Sequence, residues 1–255
     1  MSIICIERAL VAVTNLDAAC ERWSKAGFAI AAEHAIASGI RCARMAAGAV
    51  EIDLCAIDGS APAAFDAALA RGGGAIGWTW GAVDDESTHS GDNAPILPAL
   101  EQFLPGTWAG TIPAASDAVR RRDDLLRLCG PNRNTADYLE HIVVMTPSLD
   151  DAIAAHEKLG VPCKRIREAG GGMRQAFFKL EQTVLEVVGP ARGAPQVWGF
   201  AFMCKDIARA VDTARASGLQ ATEPKTAIQG GRIARIVDPL DGVAIAYMEA
   251  PSASS

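Results

Sequence analysis

The sequence predicts an α+β fold assembled from tandem βαβββ units. Three observations predict it: an internal repeat, a strand followed by a capped helix at the start of each unit, and short β-rich runs divided by turn residues. Displaced by 133 residues, the chain superposes on itself without a gap. Arg8 falls on His141, Leu16-Asp17 on Leu149-Asp150, Lys25 on Lys158, Gly27 on Gly160, Arg41 on Arg174 and Asp53 on Glu186. A shorter echo lays AIGWTWGAVDD, from Ala75, on VWGFAFMCKDI, from Val197, with Gly77 on Gly199. The chain therefore reads as a duplication of a half that itself contains two units.

The elements follow in order. In the first unit Asn15 is placed to cap a helix running to Ala26, Gly27 stops it, and strands are expected near 28–34, 40–45 and 49–55. The second unit is the least regular: after its opening strand, a stretch rich in Asp, Ser, Gly and Pro from Asp84 to Pro98 predicts a surface loop. GPNRNTAD, residues 130–137, has the composition of a connection between halves, giving an N-terminal domain over 1–131 and a C-terminal one over 136–251. In the third unit a strand over 140–145 leads to Ser148, with Asp151 three residues on, and the helix DDAIAAHEKL ends at Gly160. VPCKRIREA, MRQAFFKL and TVLEVVG are then three strands, divided by Gly170 to Gly172 and by Glu181-Gln182. In the fourth unit Asp206 caps IARAVDTARASG, and strands are expected over 199–204, 232–237 and 243–248.

Composition excludes several classes of function. Half of the 255 residues are apolar, 21% are charged and the net charge is −6. The local RRR at Arg120 to Arg122 is too little for a phosphate-binding face, so nucleic acid is not an expected partner. No run of about 18 uncharged apolar residues predicts a membrane span, and MSIICIERAL lacks the basic head of a secretory signal, which points to the cytoplasm. Seven cysteines, scattered singly without a C-x-x-C pair, read as reduced structural thiols.

The opening HIVVMTPSLDDAI, the end strand VLEVVGP and DPLDGVAIAYME near the C-terminus resemble the glyoxalase/bleomycin-resistance group, also called the vicinal oxygen chelate superfamily. The resemblance covers nearly the whole chain and is strongest from Leu139 to Glu249. It implies that βαβββ modules pair into two cupped half-barrel domains, each cup able to hold a divalent metal that chelates two adjacent substrate oxygens. The ligands it implies are a His on each module's first strand and a Glu on its last; here His141 and Glu186 occupy those positions in the third module. Gly199 and Ala246 stand where the fourth module's His and Glu would be. In the N-terminal half the positions carry Arg8 and Asp53, with Gly77 again replacing a His. Because arginine keeps its proton and suits a carboxylate, an Arg8–Asp53 ion pair is expected where the other cup would hold metal.

An imidazole with a carboxylate suits Mn²⁺, Fe²⁺, Co²⁺, Ni²⁺ or Zn²⁺, with water and substrate completing the sphere. A ring-cleaving iron dioxygenase needs a second His that Gly199 removes. The activity the resemblance implies is that of the family's metal-dependent lyases and isomerases, which abstract a proton beside a carbonyl, here of a small aromatic or keto-acid metabolite, with Glu186 as ligand or as base but not both at once, and His141 as catalytic or ligating residue. Two other readings stay open: a metal-free acid–base pair of His141 and Glu186, and a metal-free protein that sequesters a small molecule. The same pair also suits a buried structural couple. Arg174 is a candidate carboxylate binder, with Lys164, Arg165 and Arg167 nearby, although charges managing a strand edge explain them equally. Trp198, Phe200 and Phe202 alternate along one strand, so a shared face could line the cup. His156, within its helix, is expected to be a partly exposed surface residue, as are His34 and His89. The chain is expected to be a monomer or a homodimer.

Overall fold

The computed structural model describes residues 2–37, 39–59, 63–83, 108–113, 118–228 and 230–251. Its first half runs β1 (Ser2–Ala12), α1 (Leu16–Lys25), β2 (His34–Ala37), β3 (Ile40–Ala47), β4 (Val50–Ile57), α2 (Ala63–Leu69), β5 (Gly74–Val83), β6 (Trp108–Pro113) and α3 (Ala118–Cys129). These strands form one sheet in the order β2-β3-β4-β1-β5-β6. The second half runs β7 (Ala136–Met145), α4 (Leu149–Lys158), β8 (Arg165–Gly170), β9 (Met173–Leu180), β10 (Thr183–Gly189), β11 (Gln196–Cys204), α5 (Ile207–Ala216), β12 (Lys225–Thr226), β13 (Arg232–Arg235) and β14 (Ala244–Glu249). Its sheet has the order β12-β13-β14-β11-β7-β10-β9-β8. Both sheets are mixed: β7 pairs in parallel with β10 and antiparallel with β11, and β11 pairs in parallel with β14. The larger sheet curls into a half-barrel from two βαβββ modules.

The helix boundaries follow the chemistry of the caps. The side chains of Asn15, Ser148 and Asp206 accept from the backbone N–H groups of Ala18, Asp151 and Arg209. Gly27 and Gly160 follow the ends of α1 and α4 at φ 92° and 78°, which only glycine adopts without cost. Three consecutive glycines at positive φ, Gly170 to Gly172, turn β8 into β9. The first module departs from expectation, because residues 28–33 are not strand and β2 begins at His34. α2 and α3 are additional to the predicted helices. The loop expected from Asp84 to Pro98, with His89, lies outside the described residues.

One core joins the halves. The apolar faces of α1, α4 and α5 and the helix-facing residues of both sheets form a continuous cluster. Within it Phe28 packs on Phe202 at 4.8 Å between ring centroids. Asn132 and Asn134 anchor the connecting segment: Asn132 Nδ2 donates to the carbonyls of Ala46 and Ala136, and buried Asn134 donates to that of Ala26. Trp23 Nε1 of α1 donates to Asp241 Oδ2 at 3.0 Å, with Arg22 paired to the same carboxylate. His156 is corrected from a surface to a core residue. It is fully buried, stacked on Phe178 at 4.2 Å, with Nδ1 2.7 Å from the Ala152 carbonyl. An imidazole with one backbone partner inside its helix presents an aromatic face, which an apolar core accepts.

Candidate active site

Strand alternation sends every second residue of the C-terminal sheet into its concave face. On β7, Ile142 and Val144 enter the core while His141, Val143 and Met145 line the cup; on β10, Leu185 and Val187 enter the core while Glu186 and Val188 line it. The parallel register sets Glu186 beside Val143 and His141 beside Val184. His141 Nε2 therefore lies 3.9 Å from Glu186 Oε2 at the edge of a cavity of about 700 Å³.

Three neighbours fix this pair. The carboxylate of Glu140 meets Nδ1 of His141, which leaves Nε2 facing Glu186. Gln175 on β9 donates through Nε2 to Glu186 Oε1 at 2.6 Å, and its own carbonyl oxygen accepts from Nε of Arg167 on β8 at 2.9 Å. The Arg167 guanidinium in turn lies 5.6 Å from the ring centre of Phe177. Burial pushes the Glu186 carboxyl above its ordinary range, opposed by Arg167. Burial, reinforced by the positive charges of Lys179 and Arg167, drives the His141 imidazole down to about 4, so it is neutral at pH 7.

These residues fit an open, two-ligand metal site in part. A neutral imidazole whose other nitrogen meets a carboxylate is the usual form of a metal-ligating His. Two ligands of one ion stand roughly 3 to 3.5 Å apart at bond lengths of about 2.1 Å, slightly closer than the 3.9 Å here. Among the described residues no group of three His, Cys, Asp or Glu side chains could hold a metal. The register explains the missing partners. β11 and β14 pair Gly199 with Ala244 and Ala201 with Ala246, the same offset that relates His141 to Glu186 across β7 and β10, so Gly199 and Ala246 are their equivalents in register. A Cβ on Gly199 would lie 2.4 Å from the Ala244 carbonyl oxygen, too close for any side chain there.

The N-terminal sheet fills its own cup. Arg8 Nε is 3.3 Å from Asp53, as expected from the sequence, and Arg8 also meets Glu51 at 2.8 Å. Arg44 grips Asp53 through both carboxylate oxygens, at 2.9 and 3.1 Å, with His34 3.7 Å away. Burial alone would raise the Asp53 carboxyl, but the neighbouring His34 imidazole, the hydrogen bonds from Arg44 and the charges of Arg44 and Arg8 outweigh it and lower it. Arg121 of α3 pairs with Glu7 at the same cluster. Beyond it, Phe65 and Ala68 of α2 pack with Leu10, Cys42, Cys55 and Ile76.

The remaining candidates separate by strand face. Arg174 lies on the helix side of β9, 2.8 Å from Asp150 of α4 and away from the cavity. Phe200 and Phe202 are buried, 2% and 0% exposed, and pack into the core, with Phe200 also bordering a second cavity beside the first. Trp198 shares their sequence alternation, yet a bulge between Val197 and Gly199 turns it out, and it lines the cavity at 50% exposure. Gln175 and Lys225 are cavity residues that sequence reasoning missed. The two-residue turn Glu181-Gln182 sets Glu186 opposite Phe177, which makes Gln175 its diagonal neighbour, so the hairpin register was the available signal.

No protein-family model matches this chain, and neither does any curated protein sequence. Solved structures do match. A variant of 4-hydroxymandelate synthase from Streptomyces coelicolor superposes with a TM-score of 0.68 at 14% identity, covering 99% of this chain and 94% of that one. A fusion of a xylose isomerase-like TIM barrel with 4-hydroxyphenylpyruvate dioxygenase superposes at 0.65 and 13% identity, covering 100% of this chain and 50% of that one. At such identities the likeness concerns architecture, and together with the modules and cupped sheets described above it establishes that this chain has the glyoxalase-like, vicinal oxygen chelate fold.

Proposed function

We propose that the C-terminal cup is the active site of an isomerase or lyase that moves a proton beside the carbonyl of a small organic acid. The observation that carries this reading is the cluster of His141, Glu186, Gln175 and Arg167 lining a largely apolar cavity, with Glu140 meeting His141 from outside it. Glu186, whose carboxyl is raised by burial, is suited to hold the proton in transit. Gln175 fixes one of its oxygens and leaves the other toward the cavity. Arg167, beside Phe177, places a positive charge where a substrate carboxylate can pair with it. The apolar walls exclude water and strengthen these interactions. Glu186 fills one role at a time: as a ligand beside His141 it would hold a divalent cation, Mn²⁺, Fe²⁺, Co²⁺, Ni²⁺ or Zn²⁺, which would supply Lewis acidity for charge on a carbonyl oxygen, and as the proton carrier it acts with no metal on it.

A second reading, acid–base chemistry by His141 and Glu186 without metal, is favoured by the donor count, since the described residues supply two ligands and no third. Elemental analysis of the untagged protein, with His141→Ala and Glu186→Gln beside it, separates the two. Near-stoichiometric metal in the natural protein, lost in both variants, supports the metal-dependent reading. Metal-free protein that exchanges the α-proton of 2-oxo acids for deuterium, in a Glu186-dependent way, supports the second. Ligand binding without any such exchange would mark a sequestering protein and overturn both.

A further inference from the structure

Beside the cavity at His141 and Glu186 lies a second one of about 580 Å³, within the size range of small-ligand pockets. The two share Val143, Trp198, Ala201, Lys225, Ile233 and Ala246, so they are continuous. We propose that the half of the cup built by β11, β13 and β14 is a second subsite, which takes the apolar arm of an amphiphilic organic anion whose polar head lies at His141 and Glu186. The proposal rests on the reading of the C-terminal cup as the ligand site and adds the shape of its ligand.

The space exists because of what replaces the third module's polar floor. Where β7 and β10 present His141, Val143 and Glu186, the register of β11 and β14 presents Gly199, Ala201 and Ala246. The backbone approach at Gly199 keeps that floor low, since no side chain fits there. Ile233, Val237, Pro239 and Trp198 supply apolar walls. Trp198 and Val237 are large apolar residues exposed at 50% and 44%, an exposure that marks a binding groove when such groups cluster.

Charge selects the ligand's sign. Lys225 pairs with Ile233 in the β12–β13 register, and Arg235 stands two residues beyond, so both cations rise on the cup face. Neither has a salt-bridge partner among the described residues, whereas Arg232 of the same strand is tied to Glu249 at 2.6 Å. In a chain of net charge −6, two cations with no salt-bridge partner among the described residues, at the rim of an apolar cavity, favour an anion. Lys225 borders both cavities and, with Arg167, flanks the space at His141 and Glu186 that takes the anionic head.

The test is calorimetric titration of the full chain with straight-chain monocarboxylates from butanoate to decanoate. Affinity is expected to rise about fourfold per methylene until the subsite is filled. Ala244→Leu, and independently Val237→Trp at a more exposed wall position, should flatten that rise while leaving butanoate binding unchanged. Butanoate binding without a length dependence, or a length dependence untouched in both folded variants, would overturn the subsite and leave the active-site reading standing. A length dependence abolished by both variants, in a protein that shows neither metal nor proton exchange, would sustain the subsite and overturn the enzymatic reading. No binding of any acid would overturn both.

Discussion

Glu186, Gln175 and Arg167 act as one unit because each satisfies the next. The amide of Gln175 has one acceptor and one donor side, and here the acceptor side takes the guanidinium while the donor side holds the carboxylate. Glu186 thus keeps a fixed orientation in a cup where burial works against its charge. Gly199 decides the site in the opposite sense, by what cannot stand there. With Ala244's carbonyl oxygen 2.4 Å from where a Cβ would be, Gly199→His cannot restore a second imidazole without parting β11 from β14. We expect this variant to lose about 1–3 kcal/mol or more of stability in urea unfolding, as overpacked sites do, and to gain no metal affinity in a Zn²⁺ titration. A stable variant with tighter metal binding would show that the strands can separate cheaply.

At the scale of elements, α4 carries a titratable group inside the core. His156 is fully buried, and burial lowers its imidazole to about 4, against which the Ala152 carbonyl acts weakly. The folded state therefore binds fewer protons than the unfolded one between these values. Its contribution is complete above the unfolded value of about 6.5 and is lost as pH falls from there toward 4, by roughly 3 kcal/mol in all. Urea unfolding of wild type and His156→Leu at pH 7.5 and pH 5 isolates the effect. The wild type should lose more stability on acidification than the variant, and equal losses would mean that His156 is protonated without cost. The β7, β10 and β11 strands show a second rule of elements, that one bulge redirects a face. Without the irregularity at Trp198, that residue would point with Phe200 and Phe202 into the core and the cup would lose its exposed aromatic wall.

Across the whole molecule, two cups of common origin have separate fates. The N-terminal one is filled by α2 and by a cluster of Arg8, Arg44, Arg121, Glu7, Glu51 and Asp53, while the C-terminal one stays open over two joined cavities. The cluster serves folding, so removing one member should cost stability without touching the open cup. Arg44→Met, which strips the two-pronged partner from fully buried Asp53 and leaves Arg8, should cost about 3 kcal/mol in thermal or urea unfolding. Carboxylate binding in the C-terminal cup should be unchanged, and its loss would show that the two cups communicate through the shared core. Among the described residues no helix is long and apolar enough to cross a membrane. The sequence by itself determined the modules, the three caps at Asn15, Ser148 and Asp206 and the hairpin glycines, while the pairing of Arg8 with Asp53 and the choice of His141 and Glu186 as site residues followed from the family resemblance laid over the repeat. Period-two alternation, helix capping and repeated spacing are short-range properties that the order of residues states directly. Tertiary structure alone decided the burial of His156, the turning of Trp198, the helix-side location of Arg174, the Gln175–Arg167 support and the filling of the first cup. Each depends on which residues meet across strands or between helix and sheet, and strand register, bulges and packing between distant segments set those meetings.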